Sequence, residues 1–191
     1  MEYLRTELGD AEVVLRDLRE EDIEAFVAYW HESPPEHLDF LGVDREKLGT
    51  PDDTRERFRR SIRDSDPSQE RVVFVVALDG RPVAYINLHL LGPEENYIHG
   101  HVVDAELRNR GIASLMSLRV LEVVFREFPI ETLTLQTRAT NARVNHVLEK
   151  LGLELEPRRL ADPDGLPTPG DFRVCEIDRA FVRRLVSGLC N

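Results

Sequence analysis

The sequence predicts a single α/β domain over 1–191, built on a central mixed, mostly antiparallel sheet with helices on both faces. Three observations carry this. Between 71 and 103 three strand-like runs follow one another, and the first two are joined by Asp79-Gly80, a strong short hairpin signal. A glycine turn then leads into the apolar helical run "IASLMSLRVLEVVF" and on to the strand-like "ETLTLQT", so a helix links two strands and demands a crossover to a parallel neighbour. Finally, 191 residues with 41% hydrophobic and 32% charged side chains suit one domain with one sizeable core.

Taken in order, "EVVLRDL" at 12–18 reads as the first strand. "REEDIEAFVAYWHE" follows, with Ile23, Phe26, Val27 and Trp30 at helical spacing and acids in the first turn. From 33 to 53 the chain reads as irregular, broken by Pro34, Pro35, Gly42, Gly49 and Pro51, and a connection of that length suits a lid over a pocket. "TRERFRRSIRDS" at 54–65 is a short helix with Phe58 and Ile62 on one side. The meander is "RVVFVVAL" at 71–78, "RPVAYINLHLL" at 81–91 and "NYIHGHVV" at 96–103. A helix over about 112–128, a strand at 131–137 and a helix ending at Gly152 come next. Short strands are expected at 154–155 and 171–177. A closing helix at 178–189 gathers Phe181, Val182 and Leu185 on one side, to cover the sheet edge or to meet a second subunit, which leaves a homodimer open.

Composition excludes several functions. A formal net charge of -11 argues against a broad nucleic-acid surface and favours cationic or amine partners. Cys175 and Cys190 form no ligand or redox spacing, and Cys175 reads as core. The charged start "MEYLRTELGD" lacks the apolar stretch of a secretory signal, and no run is long and apolar enough for a membrane span, so the expectation is a cytoplasmic protein. P-loop, dinucleotide and nucleophile-elbow patterns are missing, and no metal site has ligand spacing.

The informative stretch is "AELRNRGIAS" at 105–114. Gly111 stands where a strand gives way to a helix, so a ligand can approach the backbone closely. The first amides of a helix lack partners and attract anions, and Arg108 and Arg110 add positive charge beside the small Ala113. The same residues could also be a plain structural turn with solvated arginines.

Arg108-Asn109-Arg110-Gly111-Ile112-Ala113 resembles the acetyl-coenzyme A motif of the GCN5-related N-acetyltransferase (GNAT) superfamily. "NARVNHVLEKLGL", from Asn141 to Leu153, is similar to the family's second conserved helix, and the EKLG ending looks closest to the ribosomal-protein alanine acetyltransferase-like branch. The resemblance implies a sheet splayed between the fourth and fifth strands counted above, with pantetheine in the gap. It implies pantetheine contacts at the backbone of Val102 and Val103, pyrophosphate contacts from Arg108 to Ala113, and a cofactor contact at Asn141. The family's frequent tyrosine acid is replaced by Leu148, which is expected on an apolar stripe with Val144, Val147 and Leu151. Its frequent glutamate base is replaced near Tyr97.

Tyr97, His99 and His101 share one strand face by the period-two rule, so His99 or His101 is the candidate base for an ammonium substrate. Strand packing is the alternative role for both. His89 and Asn87 on the neighbouring strand, together with Tyr97, are candidate acceptor contacts. Trp30 and Phe40 offer apolar contact and Glu32, Glu36 and Asp39 negative charge, which suits a polyamine, a sugar amine, an amino acid or a peptide N-terminus. The reaction implied is direct attack of the amine on acetyl-coenzyme A. The alternative is a catalytically degenerate acyl-coenzyme A sensor.

Overall fold

The computed structural model describes residues 1–63, 71–90, 96–107, 112–160 and 170–189. Eight strands form one sheet: β1 (Glu2–Leu8), β2 (Ala11–Asp17), β3 (Arg71–Leu78), β4 (Arg81–Leu90), β5 (Asn96–Val102), β6 (Thr132–Arg138), β7 (Glu156–Leu160) and β8 (Gly170–Asp178). Their spatial order is β1-β2-β3-β4-β5-β6-β8-β7. Every neighbouring pair is antiparallel except β5 and β6, which the crossover makes parallel.

Helices α1 (Ile23–His31), α2 (Pro35–Leu41) and α3 (Pro51–Arg63) belong to one apolar cluster, built on Phe26, Tyr29, Trp30, Leu38, Phe58, Val73, Val75 and Tyr85. Helices α4 (Ile112–Glu127), α5 (Ala142–Lys150) and α6 (Arg179–Leu189) contribute to a second cluster on the other face, with Phe74, Leu88, Ile98, Val124, Leu133, Leu148, Ile177 and Val182. Alternation along each strand divides side chains between the two cores. Asp79 and Gly80 both take positive φ, so the β3–β4 hairpin turns as the Asp-Gly pair requires.

Four expectations need correction. An N-terminal strand, β1, precedes the one read as first, so the predicted fourth and fifth strands are β5 and β6. None of its residues is fully buried, as in a charged edge strand, and that masked its apolar signal. The stretch 33–53 is not wholly irregular: Pro35 opens α2 at a position where a missing N–H does no harm. Strand β7 lies at Glu156–Leu160 rather than 154–155, because it pairs with β8. Val144 is exposed and leaves the apolar stripe, while Leu148 is buried as expected.

Helix α6 docks within the chain. Val182 is buried, and Arg179 donates to the carbonyls of Phe125 and Ile130. A buried ion pair fixes the start of α1: Arg16 holds both carboxylate oxygens of Asp22 at 2.6 and 2.8 Å, and Asp22 also accepts the Arg19 N–H. No helix among the described residues is long and apolar enough to cross a membrane.

Candidate active site

The parallel ladder between β5 and β6 has two rungs, Tyr97 opposite Thr134 and Ile98 opposite Leu135. Both strands run on, to Val102 and Arg138. The pairing thus stops while the strands continue, and a wedge opens toward the end of β5 that precedes α4. An extended chain carrying amides fits such a wedge as an added strand. Helix α4 has no acid in its first turn, which suits an anion at its N-terminus. Ile112 and Ala113 form that first turn, while Arg108, Asn109, Arg110 and Gly111 lie outside the described residues. The Val103 N–H donates to the Val83 carbonyl at 2.9 Å and so is directed at β4. Asn141 caps α5, its side-chain oxygen accepting the Val144 N–H at 3.3 Å.

On the α1–α3 face, register brings the candidate polar residues together. Tyr85, Asn87 and His89 of β4 stand opposite His101, His99 and Tyr97 of β5, and Arg71 of β3 stands opposite His89. His89 stacks on Tyr97 with ring centroids 4.2 Å apart, and His99 meets His101 edge-on at 5.6 Å.

The state of His99 follows from donor counting. Arg71 can only donate, and its Nε and Nη2 reach the Asn87 Oδ1 at 2.9 and 2.6 Å. That fixes the Asn87 amide, so its Nδ2 faces His99 Nε2 at 3.0 Å and donates to it. His99 is therefore protonated on Nδ1, with its lone pair already engaged. Crowding by protein, the neighbouring His101 and His89 and the Arg71 charge push its pKa well below the usual histidine value. His89 is likewise pushed down to about 4, first by burial and then by Arg71.

His101 stands differently. Its Nδ1 is 3.1 Å from the Tyr29 hydroxyl, which also lies 3.2 Å from His37 Nε2 on α2. The rings of Trp30 and Tyr85 flank it at 4.9 and 5.2 Å. Trp30 is buried beside His101, so its expected place on an open acceptor wall is replaced by one behind the imidazole. Glu32 and Phe40 are exposed and take no part in these hydrogen bonds. Cys175 is buried, its thiol pushed up to about 11 by burial, as a core cysteine.

Three functional candidates escape sequence reading: Tyr29, His37 and Arg71. Pro34-Pro35 was a usable sign for α2, and hence for His37. Arg71 heads an otherwise apolar strand. Opposite Val76 and Ala77, β4 carries an extra residue, Val83, and this bulge shifts the β3–β4 register by one residue, so that Arg71 stands opposite His89 on the histidine face.

A family model described as an acetyltransferase (GNAT) domain matches residues 12–154. The chain belongs to the GNAT acetyltransferase family. GNAT domains use acetyl-coenzyme A, and the wedge and α4 N-terminus of this GNAT chain fit that ligand. Solved structures share its fold. The ribosomal-protein-S5-alanine acetyltransferase of Vibrio fischeri aligns with TM-score 0.71 at 15% identity, covering 92% of this chain and 96% of the other. The spermidine N-acetyltransferase of Vibrio cholerae, solved with coenzyme A and spermine, gives 0.70 at 15%, covering 90% and 98%. A GNAT-family acetyltransferase of Bacillus anthracis gives 0.68 at 21%, covering 93% and 98%. No curated protein sequence matches the chain.

Proposed function

We propose that this GNAT chain transfers an acetyl group from acetyl-coenzyme A to a primary amine, of a small molecule or a peptide N-terminus, by direct attack. The observation that carries the reading is His101, anchored on Tyr29 at 3.1 Å, on β5 beyond the last rung shared with β6. The backbone of Val102 would hold pantetheine, Arg108 to Ala113 the pyrophosphate, and Asn141 the cofactor arm, whereas the Val103 N–H is given to the Val83 carbonyl on β4. Bound acetyl-coenzyme A supplies the thioester carbonyl that the amine attacks.

The chain's own residues prepare the amine. When Tyr29 donates its proton to His37, its oxygen accepts the Nδ1–H of His101, and the His101 lone pair lies on Nε2. That nitrogen takes the proton of the incoming ammonium and passes it to solvent. His99 is excluded from this role by the bond it accepts from Asn87. The rings of Trp30 and Tyr85 pack against His101. Holding the amine in place supplies much of the rate, so Leu148 in place of a tyrosine acid is compatible with turnover. The acidic, exposed Glu32, Glu36 and Asp39 favour approach of a cationic acceptor.

The buried Leu148 also motivates a second reading, an acyl-coenzyme A sensor that binds without turnover. Mass spectrometry of acetyl transfer over a panel of polyamines, sugar amines, amino acids and peptides separates the two. The enzyme reading expects an acetylated product with release of coenzyme A. Tight acetyl-coenzyme A binding with no product across the panel would favour the sensor.

A further inference from the structure

Two arginines are set into the α1–α3 face of the sheet, and they are treated differently. Arg16 is met by the Asp22 carboxylate at both ends of its guanidinium. Arg71 is met by no carboxylate among the described residues. It spends two of its five N–H groups on the Asn87 oxygen, and the ring of Phe58 lies 5.7 Å from its guanidinium carbon. Burial pulls its pKa down, so the fold keeps this cation at a disadvantage. Directly opposite, His89 Nε2 is buried with no hydrogen-bond partner among the described residues. Arg71 thus keeps N–H groups beyond the two given to Asn87, with no carboxylate to receive them among the described residues, and the unpaired His89 ring nitrogen stands beside it.

We infer that Arg71, with His89 beside it, is an anion subsite of the acceptor pocket and takes a carboxylate carried at the far end of the acceptor from its amine. The inference rests on the acetyl-transfer reading for the position of the amine. Strand geometry sets the length of such a molecule. His101 is level with Tyr85, the Arg71 guanidinium reaches Asn87, and the Arg71 backbone is level with His89. Two to four residues along β4 is about 7–13 Å. An ω-amino acid of about six to eight carbons or a short peptide with a free carboxylate spans that distance. The acids Glu32, Glu36 and Asp39 then serve the amine end, and Arg71 serves the other.

The test compares 6-aminohexanoate, 6-aminohexanamide and hexylamine as acceptors at saturating acetyl-coenzyme A, read by mass spectrometry. For wild type, kcat/KM for the carboxylate should exceed the other two by about ten- to a hundredfold, the range of a hydrogen-bonded charge. Arg71→Gln should bring that ratio close to one. Asn87→Asp keeps Arg71 but neutralises it in place, and should do the same if Arg71→Gln fails to fold. Arg71→Lys should retain part of the preference. A wild-type ratio near one, or a ratio that survives in every variant that folds, overturns the inference. If wild type acetylates none of the three, the acetyl-transfer reading fails for these acceptors, and calorimetry with the same compounds decides the subsite alone. Preferential binding of 6-aminohexanoate that is lost in Arg71→Gln or Asn87→Asp upholds it, and equal or absent binding of all three overturns it.

Discussion

The Tyr29 hydroxyl bridges two imidazoles, His101 on β5 at 3.1 Å and His37 on α2 at 3.2 Å. Helix α2 thereby touches the proposed base through one shared hydroxyl. Tyr29→Phe keeps the buried ring and removes the bridge. It should lower kcat about tenfold, the order of one hydrogen bond to a charged group, with the KM for acetyl-coenzyme A unchanged. Steady-state kinetics with both substrates varied checks this. A rise in the acetyl-coenzyme A KM with kcat intact would place Tyr29 in cofactor binding instead.

The segment after α2 is latched to the sheet. Arg138, at the end of β6, donates to the Gly42 carbonyl at 2.9 Å and lies over the Phe172 ring at 4.5 Å. Gly42 has φ 70°, and a Cβ there would collide with the Arg138 guanidinium. Gly42→Ala should destabilise the protein by about 1–3 kcal/mol through that backbone strain and the displaced arginine. Chemical denaturation measures the change, and a loss under about 0.5 kcal/mol, the range of an unremarkable surface change, would mean the latch contributes little.

The sequence revealed the histidine face through simple alternation, since Tyr97, His99 and His101 must point the same way along β5. It could not rank the two histidines. The proposed mechanism sets His99 aside because of a chain running through Asn87 to Arg71, and that chain depends on a bulge at Val83 of β4, which shifts the β3–β4 register so that Arg71 stands opposite His89. The Asp79-Gly80 hairpin was legible because its dipeptide has a specific backbone demand. Strand β1 was not, because an edge strand rich in charge carries little apolar pattern. Trp30 shows the limit of composition: helical spacing placed it on the apolar side of α1, but only packing shows that it backs His101.

The buried ion pair under α1 predicts a stability effect. Asp22→Ala leaves Arg16 buried and uncompensated, and should destabilise by about 3–5 kcal/mol. Glu20→Ala, which breaks the exposed pair with Arg59, should change stability by about 0–1 kcal/mol. Urea denaturation of both variants checks the contrast, and similar losses from the two would refute the assigned weight of burial.

Acid should weaken the fold through its histidines. His31, His89 and His99 all have depressed pKa values in the folded chain, so the unfolded chain binds more protons below the ordinary histidine value of about 6.5. Their contribution is present in full above that pH and is lost as pH falls from about 6.5 toward the folded values, about 4 for His89. Thermal midpoints should decline over this window, and His89→Gln should make the decline shallower. A pH dependence identical to wild type in that variant would remove His89 from the account.

The most direct measurement is the pH profile of kcat/KM for His101→Asn and His99→Asn at saturating acetyl-coenzyme A, using whichever amine the panel identifies. His101→Asn should lose about 10²–10⁴-fold in rate together with the ascending limb of the profile, as loss of a general base does. His99→Asn should keep that limb, because His99 Nε2 already accepts the Asn87 amide. A His101→Asn protein with wild-type rate and an unchanged limb, or a His99→Asn protein that alone loses it, would contradict the assignment.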